Sequence, residues 1–361
     1  MTLTATLVFA AFALLLAALS HTRWFARTRT WILLVASVLA VYWLQPALPI
    51  RGLDFWLPSL MLMIAVWGWV LTSSPPERAW HSMLPVSAII AGLVLLIALT
   101  RYLPFSDVFT PSRPPQFQQV LIFLAVSVPF LFLATRVSHR SPAGLWIAIA
   151  GLLLLFIILK LPALTVLVSS WLRGLMGQPS QLASPLDIRW LGFSYIAFRL
   201  IATLRDRQTG RLPAVTLQEY LIYLLFFPAL AAGPIDRIER FIKDLRSPVP
   251  VPSARVGEGG YRLVLGLFKK FVLADLLALI ALNPTNAAQI HSTGWMWVSV
   301  YAYSLQIYLD FSGYTDIALG IGRWLGFTLP ENFHAPYLKP DLTQFWNNWH
   351  ITLTQWFRAY F

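Results

Sequence analysis

The feature that most constrains this chain is a series of long apolar segments separated by short polar turns. Six of them fill most of the first half, over residues 3–20, 31–48, 55–72, 84–100, 120–135 and 145–161. Each approaches the length of about 20 residues that a helix needs to cross a hydrocarbon core of about 30 Å. Only helices and closed barrels satisfy the backbone in lipid, and barrel strands alternate apolar with polar residues. These continuous runs therefore predict transmembrane helices.

Composition supports a membrane protein and excludes several other classes. Charged residues make up 12% of the chain, against about 25% in soluble domains, and the mean hydropathy is +0.66. The net charge of +12 is scattered over short loops, so no nucleic-acid partner is predicted. The absence of cysteine excludes disulfides and thiolate metal sites. We predict an all-α, polytopic transmembrane bundle whose first apolar segment is retained rather than cleaved as a signal peptide.

The composition of the apolar segments changes at Asp187, because from there on they contain polar residues. We therefore predict a scaffold of transmembrane helices over 1–186 and a functional region over 187–361. Arg199 lies within a short apolar span, where a charge needs a partner or a water-filled cavity. The apolar stretch 220–232 is short enough to favour a re-entrant element over a full crossing.

Two features of residues 261–326 are read as packing or interface signals. Lys269 and Lys270 follow a predicted helix start at Tyr261 and are expected to extend toward lipid headgroups. Gly320, Gly322 and Gly326 include a small-residue spacing that lets helices approach closely.

Residues 301–361 hold an unusual density of polar side chains for a membrane protein. Gln306, Asp310 and Asp316 lie on one predicted helix, and ionisable groups at such depth cost about 2.5 to 3.5 kcal/mol each, so we expect them to be functional. Asp310 and Asp316 are six residues apart and face different directions on a helix, which argues against a paired acid and base. No metal site is predicted.

A single helix over residues 343–358 would carry a narrow polar stripe. At about 100° per residue, Asn347, His350, Thr354 and Arg358 fall within about 80° of one another, beside an aromatic face. A neutral His350 in a cavity could accept the proton of an alcohol while its oxygen attacks a thioester carbonyl, which is general-base catalysis of O-acyl transfer. A hydrogen-bonded packing histidine is the alternative.

Four motifs follow one another in the second half. They are AGPIDR at 232–237, SLQIYLDFSGYTD at 304–316, ENF with a Pro-Tyr pair at 331–337, and FWNNWHITLTQWFR at 345–358. Together they resemble the membrane-bound O-acyltransferase (MBOAT) family, most closely its bacterial branch that acts in alginate O-acetylation and in D-alanyl transfer to teichoic acids. The resemblance covers about 187–361.

This resemblance implies a helical bundle around a funnel in a bacterial inner membrane. An acyl thioester donor, such as acetyl-CoA or an acyl carrier, would arrive from the cytoplasm, with no tightly bound cofactor. The acceptor would be an exopolysaccharide or other envelope glycan, reached through a periplasmic or membrane-anchored acetyltransferase partner. His350 matches the family's tryptophan-histidine motif and is the predicted catalytic residue. The predicted cavity-lining residues are Asn347, Thr354, Arg358, Gln306, Asp310, Asp316 and Arg199.

Two departures from the family pattern leave alternatives open. Ala359 stands where the family usually has Asp, and the family's second histidine falls on a later helix, so no residue here is assigned to it. We therefore expect a truncated chain whose own activity is uncertain. A non-catalytic assembly subunit or inactive homologue is the first alternative. A transporter is the second, although transporters often carry matched internal repeats and none is found.

Overall fold

The computed structural model describes residues 2–104, 109–137, 142–247 and 250–361, without the side chains of 136, 137 and 142. Its regular elements in these ranges are helices, and the one β-type pairing there is an isolated antiparallel bridge between Phe333 and Trp349. The predicted all-α class is confirmed.

Sixteen α-helices are numbered here in chain order within the described ranges. They are α1 (Leu3–Leu19), α2 (Arg23–Trp43), α3 (Leu53–Thr72), α4 (Trp80–Leu99), α5 (Phe117–Val137), α6 (Pro142–Lys160), α7 (Pro162–Leu175), α8 (Phe193–Gln208), α9 (Leu217–Leu225), α10 (Ile238–Arg246), α11 (Ser253–Phe268), α12 (Asp275–Ala278), α13 (Pro284–Gln289), α14 (Thr293–Trp324), α15 (Leu342–Asn348) and α16 (Ile351–Tyr360). A π-helical turn, Lys269–Ala274, joins α11 to α12.

Five of the described helices are long and apolar enough to cross a membrane. They correspond to α2 through α6, and α1 is a shorter apolar helix. The second predicted segment is misplaced, since α2 begins at Arg23 and not near Trp31. The Thr22 hydroxyl accepts a hydrogen bond from the Phe25 backbone N–H at 3.2 Å and so starts the helix early. The helix ends before Pro46, because a proline disfavours helical geometry in the preceding residue.

The described residues group into two compact units. The N-terminal unit comprises Thr28–Leu230 and Arg237–Ile242, and the C-terminal unit comprises Met1–Arg27, Ala231–Asp236 and Lys243–Phe361. In the N-terminal unit, α3, α8 and α9 share a core that includes the fully buried Trp69, whose indole N–H donates to the Val215 carbonyl at 3.0 Å. The Tyr220 and Thr203 hydroxyls pair at 2.8 Å in the same core.

The C-terminal unit is built on α14, a helix of 32 residues, which packs against α11. Gly259 meets Gly320, and Gly266 meets Gly313, so the two helices run antiparallel with glycines seven residues apart on each. A Cβ atom on Gly266 would lie 2.6 Å from the Gly313 carbonyl oxygen. The backbones are therefore in direct contact, which only glycine permits at these positions.

The predicted close approach is confirmed for Gly320, but the other two glycines serve different purposes. The Cβ of a residue at 322 would meet the side chain of Leu329, not another helix backbone. Gly326 has φ +87° and ends α14, with the Phe327 N–H donating to the Gly322 carbonyl at 2.8 Å. A left-handed glycine after the last turn is a common helix stop.

The glycine contact predicts a position-dependent effect of one substitution. Gly266→Val should lower stability by about 1 to 3 kcal/mol, the usual cost of overpacking, because its Cβ meets backbone atoms that cannot move aside. Gly257→Val is the control on the same helix, where a Cβ meets nothing within 4 Å. Thermal unfolding of both proteins in detergent measures the difference, and equal unfolding temperatures would contradict the interpretation.

Candidate active site around His350

The segment predicted as one helix is broken at His350. Helix α15 ends at Asn348, Trp349 is extended, and His350 adopts left-handed geometry with φ 44° and ψ 53°. The break arises because this backbone pairs with residues 332–334: the His334 N–H donates to the Asn348 carbonyl at 3.1 Å, and the Ile351 N–H to the Asn332 carbonyl at 2.9 Å. The continuous polar stripe over residues 343–358 is therefore wrong.

His350 is held by both its backbone and its ring. Its carbonyl accepts the N–H groups of Leu353 and Thr354 at 3.0 and 3.1 Å, which starts α16. Its imidazole lies edge-to-face against Phe311, with centroids 4.8 Å apart. A left-handed residue other than glycine costs about 1 to 3 kcal/mol, and such strain is concentrated at functional sites. Ala335, at φ 45°, is the other non-glycine residue in this conformation among those described, and of the two only His350 carries a group that can accept a proton.

A buried chain of hydrogen bonds fixes the break. The Ile235 N–H donates to the Thr352 hydroxyl at 3.1 Å, and that hydroxyl donates to Asn332 Oδ1 at 2.6 Å. Asn332 Nδ2 in turn faces Thr315 Oγ1 at 3.5 Å, and the Thr315 hydroxyl donates to the Phe311 carbonyl at 3.1 Å. Asn332 is fully buried. One polar chain therefore joins all four sequence motifs.

An aromatic cluster surrounds this chain. Its members are Tyr308, Phe311, Phe333, Tyr337, Phe345 and Trp349. Phe345 stacks on Trp349 with centroids 5.5 Å apart, while Phe333 meets both Trp349 and Phe311 edge-to-face. The rings pack edge-to-face and stacked on one another, and Phe311 joins this cluster to the imidazole.

Three other residues of the predicted stripe form hydrogen bonds between α15 and α16. Arg358 donates from Nη2 to the side-chain oxygen of Asn347, and the Thr354 hydroxyl donates to the Trp346 carbonyl at 3.2 Å. The broken backbone therefore joins α15 to α16 through these two hydrogen bonds, and the Thr354 N–H also donates to the His350 carbonyl. The contact of these three residues with substrate stays a prediction.

The two aspartates of α14 are held by ion pairs with α11 and the π-turn. Asp316 is buried and accepts from Lys269 at 2.7 Å and from Arg262, which also pairs with Glu331. Asp310 pairs with Lys270. The expectation that these lysines extend to lipid headgroups is wrong. Lys269 follows Arg262 by seven residues and Lys270 follows Gly266 by four, so helical spacing places both on the face that packs against α14.

Helix α14 is unbroken, so Asp310 and Asp316 point at different partners and do not form an acid-base pair, as predicted. Gln306 lies half-buried on the same helix, about one turn before Asp310. Its role in lining a cavity stays a prediction.

Arg199 belongs to the N-terminal unit and is 2% exposed. Its guanidinium donates to the carbonyls of Leu224 and Ala229 at 2.9 and 3.1 Å, where α9 ends ahead of Pro228. Proline lacks the N–H that would continue the helix, so nearby carbonyls need another donor. Arg199 thus has a structural use for its charge, and its predicted place in a substrate cavity remains untested.

The surroundings of His350 set its protonation. His350 lies outside the five candidate membrane spans, in the break between two short helices. Burial lowers the pKa of His350 to about 4, because the charged imidazolium loses its hydration. The ring is therefore neutral at physiological pH, and a neutral imidazole has one nitrogen that can accept a proton.

Sequence reasoning missed Asn332, Thr352 and Thr315 as the residues that position the histidine. All three lie inside the motifs given above. Their sequence positions alone do not show that the Asn332 side chain is hydrogen-bonded to the two threonines. Their meeting depends on segments up to 117 residues apart in sequence, from Ile235 to Thr352. No local pattern reports such a contact.

The fold and site define a helical membrane protein with a strained, half-buried histidine at a helix break. The chain belongs to the membrane-bound O-acyltransferase family (MBOAT), which it matches over residues 88–361. The match begins well before Asp187, so part of the predicted scaffold also belongs to the family region.

Relatives agree with the branch inferred from the motifs. The chain is 37% identical over 171 residues to the probable alginate O-acetylase AlgI of Pseudomonas syringae pv. tomato, covering 47% of this chain and 33% of that protein. It is 32% identical over 182 residues to the teichoic acid D-alanyltransferase of Streptococcus thermophilus, covering 48% and 43%. The Bacillus subtilis enzyme of the same name is 31% identical over 176 residues, covering 48% and 45%. The chain thus spans a third to under a half of these proteins.

The buried hydrogen-bond chain predicts a difference between two substitutions at one position. Thr352→Val keeps the shape but leaves the side-chain Oδ1 of Asn332 and the Ile235 N–H without this partner, which should cost about 1 to 3 kcal/mol. Thr352→Ser keeps the hydroxyl and should lose much less. Thermal unfolding in detergent compares them, and an equal loss in both variants would mean that the hydroxyl has no part in stability.

Proposed function

We propose that this chain carries acyl-transfer machinery of a bacterial inner-membrane O-acyltransferase. It moves acetyl groups from a cytoplasmic thioester donor, acetyl-CoA or an acyl carrier, toward an exopolysaccharide or other envelope glycan. A periplasmic or membrane-anchored acetyltransferase is the partner that completes delivery. The family assignment and the relatives named for alginate O-acetylation and teichoic acid D-alanylation support this proposal.

The observation that carries the proposal is the neutral, strained His350 in the motif where the family has a histidine. The acceptor hydroxyl gives its proton to the imidazole as its oxygen attacks the thioester carbonyl. The carbon–sulfur bond then breaks, and the departing thiolate takes the proton from the imidazolium. The acyl group moves from sulfur to oxygen, and His350 ends as it began, which is general-base followed by general-acid catalysis.

The other residues of the site position this group. The Asn332–Thr352 hydrogen bond and the two backbone pairs hold the turn, while Phe311 fixes the plane of the ring. Preorganisation of this kind raises rate because little rearrangement is needed when the reacting atoms meet. Arg358 on α16 and Asn347 on α15 hydrogen-bond to each other, and contact with the donor is the role we propose for them.

His350→Ala should lower acetyl transfer by about 10²- to 10⁴-fold, the usual contribution of a positioned acid-base group. The measurement is glycan acetylation in cells whose native locus carries the variant, beside cells that express residues 1–361 alone. His334→Ala is the control, because His334 lies on the opposite side of the same backbone pairing with an exposed side chain.

A second variant distinguishes the effect of losing the imidazole from the effect of placing a strained residue at position 350. His350→Gly removes the imidazole but accepts the left-handed conformation without strain. Both variants should be inactive while remaining folded. Wild-type transfer in a well-expressed His350→Ala protein would rule out His350 as the base, and recovery in the Gly variant alone would assign the loss to strain.

The low pKa of His350 predicts an unusual pH profile. Because the imidazole is neutral above about pH 5, its protonation should not reduce the rate between pH 7.5 and 5.5, and the acid loss should be centred near the pKa of about 4. Consumption of acetyl-CoA by purified protein, over the pH range in which it stays folded, tests this. An acid limb centred near 6.5, the ordinary histidine pKa, would contradict it.

A further inference from the structure

An elongated apolar cavity of about 410 Å³ lies between α3, α4 and α5 in the N-terminal unit. Its wall includes Val66 on α3, Ala91 on α4 and Leu124 on α5, and the described lining residues carry no charge. The volume falls within the range of about 300 to 1,000 Å³ that is typical of small-molecule sites. The motifs and the site around His350 do not account for it.

The cavity follows the helix axes. Its lining runs from Ser59 to Val70 on α3 and from Trp80 to Val94 on α4. At about 1.5 Å per residue these stretches are about 16 and 21 Å long. One leaflet of a hydrocarbon core about 30 Å thick measures about 15 Å. The cavity is therefore about as long as one leaflet is thick, and its long axis follows the helices that line it.

Two aromatic pairs hold α5 to α3 along this length. Trp56 meets Phe123 edge-to-face at 5.4 Å, and Trp67 stacks on Phe130 at 5.8 Å. The two tryptophans are eleven residues apart, which is about 16 Å along a helix. These contacts support the wall at two levels and leave space between the helices.

One end of the cavity lies at the helix termini. Arg78, in the turn between α3 and α4, donates to the Val70 carbonyl at 2.6 Å and to the Thr135 carbonyl at 3.0 Å, which ties the ends of α3 and α5 together. Trp80, the first residue of α4, lines the cavity and is 60% exposed. Arginine and exposed tryptophan together are typical of the headgroup level of a membrane.

The chemistry of the wall selects an apolar occupant. The Ser59 hydroxyl is already hydrogen-bonded to the Tyr42 hydroxyl at 2.8 Å and to the Phe55 carbonyl at 2.9 Å. All three helices are long and apolar enough to span a membrane, where the hydrocarbon chains of lipids surround such helices. We propose that the cavity binds one acyl chain of a membrane glycerophospholipid, which enters at Trp80 and extends toward Ser59.

Photolabelling tests this proposal. The purified protein is placed in nanodiscs of phosphatidylcholine that carries a diazirine within one acyl chain, and adducts are mapped after illumination. We expect adducts at Ala91 and Leu124 in at least fivefold excess over outward positions such as Val126 and Ile147, which are 66% and 72% exposed. Equal labelling of the wall and the outward positions would mean ordinary boundary lipid and overturn the proposal.

Two matched variants sharpen the test. Ala91→Trp fills the cavity and should reduce the wall adducts about tenfold, whereas Ala88→Trp makes the same change at an exposed position of the same helix and should not. Ser127→Phe fills the cavity from α5 and serves if Ala91→Trp is poorly folded. Equal labelling in filled and control variants, or displacement of the label by oleate alone, would contradict a phospholipid chain.

Discussion

The geometry of the candidate site depends on the hydrogen bond between the Thr352 hydroxyl and Asn332. It joins the start of α16 to a buried loop residue, and through Ile235 and Thr315 it reaches two further segments. Without it, the backbone pairing of residues 332–334 with 348–351 would lose its buried support. That pairing forces the left-handed turn that directs the His350 ring against Phe311. A single neutral hydrogen bond thus supports the strained residue to which we assign the chemistry.

The buried charged residues of the C-terminal unit also have hydrogen-bonding partners. Asp316 is buried but meets two cations, and a buried charge is tolerated when it is paired and hydrogen-bonded. Arg199 in the N-terminal unit binds the backbone carbonyls where α9 ends. Asp316 thus joins α14 to α11 through side-chain ion pairs, and Arg199 satisfies backbone carbonyls at a helix end. The density of polar residues alone is therefore a weak guide to which of them touch substrate.

The sequence predicted the class of fold because long apolar runs in a membrane leave the backbone one solution, the helix. It also predicted His350 as the residue to examine. It could not predict the break at Trp349 and His350, since residues 343–358 have helical periodicity throughout and the break comes from pairing with residues 332–334. The glycine contact was only partly predicted, because Gly259 and Gly266 acquire meaning only when placed opposite Gly320 and Gly313. The local sequence pattern indicates which secondary structure a segment favours. The helix break and the glycine contact are set by tertiary contacts, which that pattern does not contain.

The π-turn at Lys269–Ala274 has a consequence for how α11 and its continuation evolve. An extra residue within a turn rotates everything beyond it by about 100° relative to an uninterrupted α-helix. The glycines before the turn face α14. The side chains after the turn also contact α14, but from a face rotated relative to the one that an uninterrupted α-helix would present. Loss of one residue here would preserve a continuous helix yet turn its second part to a different neighbour. A single-codon insertion or deletion in the turn would therefore change which neighbour Asp275–Ala278 faces, while α11 and its glycines would stay packed against α14.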